Sequence, residues 1–264
     1  DTTFFQPNPG AKLVLPSIGL DLSQVDEIVT YATRGMEPYR GFPQFMEAVA
    51  LIQQRRPHCH VVVVGDDRVA YGKTLPNQQT YKQLMLEKLS LDLSRLHFTG
   101  SLPYGQYLQV LQASSAHIYL TRPFVLSWSM LEALSTGCLV IGSNTAPVTE
   151  VIRDGENGLL VDFFAPVEIA DRVDEVLNQP ERFTSLRSAA RQTILQSYDL
   201  AALLPQHLQW IKQDLPENQN SSLNETQAID LNPKQNSKQN VKQNSKGFAA
   251  PPQPKSSPRK RRTK

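Results

Sequence analysis

Arg34 and Arg40 flank the stretch Gly35-Met36-Glu37-Pro38-Tyr39, directly after an apolar run that ends in Tyr31-Ala32-Thr33. Guanidinium groups are planar and permanently charged, so two of them across a turn at the end of a strand could clamp a diphosphate. Two solvated surface arginines are the alternative, and position alone leaves both open, since neither a Walker lysine motif nor a dinucleotide glycine fingerprint is present. A second stretch, Tyr119 to Cys138, runs from a strand through a turn at Pro123 into a helix with Ser127 as its expected N-cap. Free backbone N–H groups at such a helix start could receive an anion. Glu132 falls inside that helix among apolar neighbours. Its carboxylate needs either a pair of sugar hydroxyls or an Arg or Lys partner. Trp128 and Tyr104 could stack on a base or pack within the protein. His58, His60, His97, His117 and His207 show no metal-ligand spacing with carboxylates or cysteines, so no metal site is expected. No nucleophile elbow is present either.

The elements that must position these residues follow from hydrophobic patterning. Strands are expected at Ile28–Thr33, His60–Val64, Leu96–Thr99, Ala116–Thr121, Leu139–Ser143 and Gly158–Asp162. The continuous run Val61-Val62-Val63-Val64 requires cover on both faces, as in a parallel sheet. Helices are expected at Gly41–Arg56, Thr80–Ser90, Tyr104–Ser114, Ser127–Thr136, Pro147–Arg153, Pro166–Leu177 and Pro180–Ser197. In the first, Phe42, Phe45, Met46, Val49 and Ile52 make one apolar stripe at helical spacing. The alternation implies an α/β fold, a Rossmann-like doubly wound parallel sheet of about six strands, with its crevice at the carboxyl ends of the strands.

Composition sets the outer bounds. The chain has 264 residues, 40% hydrophobic and 20% charged, enough for a large core and far from a disulfide miniprotein or a fibrous repeat. The formal net charge of +2 hides a split: from Leu215 onward ten basic residues face three acidic ones, leaving the body at −5. Residues 1–27 read as a lead-in segment, 28–199 as the α/β domain and 200–215 as a last amphipathic helix. Residues 216–264 form an Asn/Gln/Lys-rich basic tail too poor in apolar groups to offset its ordering entropy, and disorder is expected there. The tail's end, Pro258 to Lys264, is either a solvated tail or a weak contact for anionic lipid or nucleic acid. Cys59 and Cys138, the two cysteines, sit in apolar settings that suit buried, reduced thiols and a cytoplasmic location. No run approaches the length of a membrane span, and the start at Asp1 has no signal-peptide pattern and no initiator methionine, as a fragment or a processed chain would have.

The combined motifs resemble the donor-binding domain of GT-B glycosyltransferases of the group called family 4 or group 1. Asp1-Thr2-Thr3-Phe4-Phe5-Gln6-Pro7 looks like the segment after that family's interdomain hinge, which makes residues 1–27 a post-hinge segment. Arg34 with Arg40-Gly41 resembles the basic pair of the first loop, where Lys is more usual at the second position. Phe98-Thr99-Gly100-Ser101-Leu102-Pro103-Tyr104 looks like the base-binding loop. Leu131-Glu132-Ala133 with Gly137 matches the second half of the acidic motif, and Pro147, Glu150-Val151-Ile152 and Asp154 through Val161 match the closing signature. The likeness covers about residues 1–200. One departure stands out: Phe124 occupies the position of the motif's first acid, which normally contacts the donor sugar, and Phe124 through Ser129 looks like a variant within the family.

The resemblance implies half of a GT-B fold and a retaining transfer of a hexose from a nucleotide-diphosphate sugar to a glycan, lipid or protein acceptor, with no metal or other cofactor. Arg34 and Arg40 would stabilise the leaving diphosphate, and Glu132 would hold the ribose hydroxyls. Ser101, Leu102 and Pro103 would line the base slot, while Phe124, Ser127 and Trp128 would face the phosphates or donor sugar. Such an enzyme needs an N-terminal acceptor domain or a partner chain, without which it is expected to be inactive. The alternative is a noncatalytic nucleotide-sugar-binding fragment or interaction module. A cytoplasmic enzyme is expected, with weak contact to the inner face of the membrane as an option for the tail.

Overall fold

The computed structural model describes residues 1–213, so the 216–264 tail and its basic cluster lie outside the described residues. A small antiparallel pair, β1 (Val14–Leu15) and β2 (Leu20–Asp21), precedes the main sheet. The main sheet comprises β3 (Ile28–Gly35), β4 (His60–Asp66), β5 (Leu96–Gly100), β6 (Ala116–Tyr119), β7 (Val140–Ser143) and β8 (Leu159–Val161). Its six strands lie in the order β5-β4-β3-β6-β7-β8, and every pairing is parallel. The chain adds β4 and β5 on one side of β3 and then crosses to place β6 on the other. Between β3 and β6 the winding reverses, which opens a crevice at the carboxyl ends of the strands.

The valine run explains the layering. Val61 and Val63 pack on one side of the sheet and Val62 and Val64 on the other, in two separate hydrophobic clusters. Burying each such side chain contributes roughly 1.5–3 kcal/mol, which only a doubly covered strand can collect along its whole length. One side is covered by α1 (Phe42–Arg55), Met85 of α2 (Tyr81–Lys88) and α6 (Pro166–Asn178). The five residues of the α1 stripe, Phe42, Phe45, Met46, Val49 and Ile52, are all fully buried. The opposite side is covered by α3 (Tyr104–Gln112), α4 (Trp128–Ser135) and α7 (Thr184–Ser197). The N-terminal segment, residues 1–27, adds Leu13, Leu15 and Leu22 to this second cluster. Arg191 of α7 ties the segment down through the Thr2 and Phe5 carbonyls, at 2.9 and 2.7 Å.

Two expected helices differ from their patterns. The one expected over Pro147–Arg153 is only α5 (Ala146–Thr149). Asn157 ends it by capturing backbone groups: its Oδ1 accepts from the Arg153 N–H at 2.7 Å, and its Nδ2 donates to the Val151 carbonyl at 2.9 Å. The one expected over Pro180–Ser197 is broken into a 3-10 turn, Pro180–Phe183, and α7, with Phe183 buried at the junction. A last helix, α8 (Leu200–Gln213), completes the described chain.

Candidate functional site

A cleft of about 290 Å³ opens at the carboxyl end of the sheet, on the side of α3 and α4. The tips of β3 and β4 give its floor through Ala32, Thr33, Val64 and Gly65. Gly65 has φ of +129°, and a Cβ there would lie 1.8 Å from the Thr33 carbonyl oxygen, so no other residue lets the two strand ends approach this closely. Arg34 stands at one wall, Ser101, Leu102, Tyr104 and Tyr107 at a second, and Ser127, Trp128, Ser129 and Glu132 at a third. Ser127 caps α4 as its type and place suggest, its Oγ accepting from the Ser129 N–H at 3.3 Å.

Among the described residues neither Arg34 nor Glu132 has an ion-pair partner. The Arg or Lys that could have explained Glu132 is therefore absent from the described residues. Burial raises the Glu132 pKa above its ordinary value, partly offset by the neighbouring Tyr107 hydroxyl. The Tyr107 hydroxyl is itself buried and turned towards Glu132 without closing a hydrogen bond of normal geometry. A half-buried carboxylate, a phenol without a closed hydrogen bond and an exposed guanidinium thus face one small space. Hydroxyl donors beside Glu132 and an anion beside Arg34 would satisfy them.

The rim is aromatic. Trp128 is 79% exposed and Tyr104 63% exposed, so neither is a core group, although Tyr104 also meets Phe4 and Phe5 edge-on. Large apolar faces left in water at the mouth of a polar cleft suit a stacking ligand. Ser101 is fixed by donating to Asp66 Oδ1 at 2.6 Å.

The family model described as glycosyl transferases group 1 matches residues 22–193. The chain belongs to this family. Among curated relatives, this group 1 glycosyl transferase chain is 28% identical over 159 residues to a D-inositol 3-phosphate glycosyltransferase of Corynebacterium glutamicum, covering 59% of this chain and 36% of that protein. It is 26% identical over 177 residues to the lipopolysaccharide core biosynthesis glycosyltransferase LpsE of Rhizobium meliloti, covering 64% of this chain and 45% of that protein. The chain spans roughly a third to a half of the length of the curated relatives it matches. Among solved structures it resembles Anabaena HepE in complex with UDP-glucose, with a TM-score of 0.67 at 19% identity, covering 81% of this chain and 55% of that one. It also resembles the C-terminal domain of a group 1 family protein, LpcC, from Francisella tularensis, with a TM-score of 0.61 at 18% identity, covering 76% of this chain and 98% of that one. Half of a GT-B architecture, as the motifs imply, is the fold present.

Of the residues expected at the site of this group 1 glycosyl transferase chain, the cleft gathers Arg34, Ser101, Leu102, Ser127, Trp128 and Glu132. Pro103, Arg40 and Phe124 are not among its lining residues. Pro103 is exposed and caps α3. Arg40 is neither solvated nor in the cleft wall: it is 7% exposed, and its NH1 donates to Thr121 Oγ1 and the Val125 carbonyl, both at 3.0 Å. The Tyr119 hydroxyl lies 3.5 Å from the same nitrogen and accepts from the Ser127 N–H at 2.8 Å, linking Arg40 to the start of α4. Phe124 packs edge-on to Tyr39 and stands near the Arg40 guanidinium at 5.8 Å. Thr33, Gly65, Tyr107 and Ser129 join the cleft although their types and spacing did not mark them. The glycine directly after four valines was the one usable signal for Gly65.

Proposed function

We propose that this chain binds a nucleotide-diphosphate sugar in the cleft and is the donor-binding half of a retaining glycosyltransferase that moves a hexose to a glycan, lipid or protein acceptor. The observation that carries this reading is the pairing of Arg34 and Glu132, neither in an ion pair among the described residues, on the walls of one cleft at the strand ends. The HepE structure with UDP-glucose supports the ligand class. In this reading Arg34 meets the diphosphate, with Arg40 held behind it, and together they stabilise negative charge as the glycosidic bond breaks, without a metal. Glu132 accepts from the ribose hydroxyls, and Ser101, Leu102 and Pro103 border the base. Trp128, the Ser127 amide and Phe124 lie towards the phosphates and sugar.

The full reaction also needs an acceptor site, and the matched relatives are more than twice as long as the segment they share with this chain. That length favours a second reading for the chain taken alone, a nucleotide-sugar-binding module that works with an acceptor domain or partner chain. Incubation with UDP-, GDP- and ADP-hexoses separates the two. Release of nucleoside diphosphate marks transfer or hydrolysis, binding without release marks the module, and absence of binding refutes both. No helix among the described residues is long and apolar enough to cross a membrane. Contact with the inner face of the membrane is accordingly proposed only for the basic tail.

A further inference from the structure

The connection from β4 to α2, residues 67–80, is long for a strand-to-helix loop, which usually takes about 2–6 residues. It is nevertheless tied down. The Glu37 carboxylate is completely buried and accepts from the backbone N–H groups of Ala70, Tyr71 and Gly72, the last at 2.6 Å. Gly35 and Gly72 permit the close approach: a Cβ on Gly35 would lie 2.7 Å from the Arg68 carbonyl, and one on Gly72 would lie 2.9 Å from Glu37 Oε2. Charged carboxylates held by several backbone donors are strong anchors. The strap they hold presents Tyr71, 42% exposed, with its ring 5.4 Å from the Arg40 guanidinium carbon and 5.2 Å from the Phe124 ring.

The Tyr71 ring lies on the Arg40 guanidinium, and hydrogen bonding and charge from Arg34, then from Arg40, lower the pKa of its hydroxyl. Arginine carries donors only, so the phenol oxygen can accept from them but cannot give its proton to either. Among the described residues no group accepts from the Tyr71 hydroxyl, and neither arginine has a carboxylate partner. An O–H donor next to two cations, with nothing to donate to, is complementary to a phosphate oxygen.

We propose that Tyr71 is a third phosphate-binding residue of the donor site, its hydroxyl held beside Arg34 and Arg40 by the Glu37-anchored strap and donating to the terminal phosphate of a nucleoside diphosphate. The proposal rests on the donor-site reading and adds to it a residue, a strap and a contact with one particular phosphate. Tyr71→Phe removes the hydroxyl and keeps the ring on Arg40 and Phe124. Calorimetry on the full chain with UDP and UMP, GDP and GMP, and ADP and AMP compares the two proteins through the best-binding pair. Tyr71→Phe weakens the diphosphate by at least about fivefold and leaves the monophosphate unchanged, the loss of one hydrogen bond to a charged group. A diphosphate-to-monophosphate ratio unchanged by the substitution overturns the role of Tyr71 while leaving the donor site in place. Absence of binding by the wild-type chain to all six nucleotides overturns both.

Discussion

Replacing Glu132 by Gln tests the chemistry of the cleft with little risk to the fold. Because burial raises the pKa of this carboxylate, with only a partial offset from the Tyr107 hydroxyl and the N-terminal charge, its ionised form costs the folded state free energy. Removing the charge therefore leaves the melting temperature unchanged or slightly higher. Binding responds differently. A carboxylate accepts from two ribose hydroxyls, each charge-assisted bond contributing about 1.5–3 kcal/mol, whereas Gln offers one neutral carbonyl and turns a donor on the other hydroxyl. The loss is about 2 kcal/mol or more, at least ~30-fold in affinity. Calorimetry with the best of UDP, GDP and ADP, alongside its 2′,3′-dideoxy counterpart, isolates the contact as a double cycle. The wild type prefers the ribonucleotide by at least that factor, and Glu132→Gln keeps only a weaker preference. As pH falls through the raised Glu132 pKa, wild-type affinity declines towards that of the variant, whose own affinity follows a flatter profile over the same range. An equal loss towards both nucleotides would refute the assignment of Glu132 to the ribose.

Other sites give independent checks. His117 is fully buried with its Nδ1 2.8 Å from Thr30 Oγ1 and its Nε2 unpartnered, and burial lowers its pKa from 6.5 to about 4. The folded state thus refuses a proton that the unfolded chain accepts, so stability present above pH 6.5 falls towards pH 4 by about 3 kcal/mol from this group. In His117→Leu that slope disappears from the difference between urea titrations at pH 7 and pH 4.5, while Thr30 keeps its Ser114 partner. Gly65→Ala forces a Cβ onto the Thr33 carbonyl and lowers the melting temperature by on the order of 5–10 °C in a thermal melt.

Much of the framework was legible because it rests on local patterns. Four consecutive valines require two covered faces, and the spacing of Phe42 to Ile52 requires one buried stripe, whatever the rest of the chain does. Ser127 and Glu132 were also legible, since a cap and a carboxylate inside an apolar helix are anomalies that show in the sequence. Arg40 was not, because its burial depends on Thr121 and Val125, far along the chain and brought beside it only by the parallel pairing of β3 and β6. Tyr71 carried no signal at all. Its stretch is aperiodic, and its position comes from Glu37, a charged residue whose sequence neighbours give no reason to bury it. The end of α5 is hidden from local pattern for a similar reason: Asn157 reaches back to Val151 and Arg153, a contact that propensity does not describe.

Donor binding itself is tested most directly by titrating the wild-type chain and Arg34→Ala with UDP, GDP and ADP in a calorimeter. A working donor site gives measurable heat with at least one nucleotide and at least about a tenfold loss of affinity in Arg34→Ala, as expected when an unpaired guanidinium is the main phosphate contact. No heat with any of the three, or equal affinity in the two proteins, would contradict it.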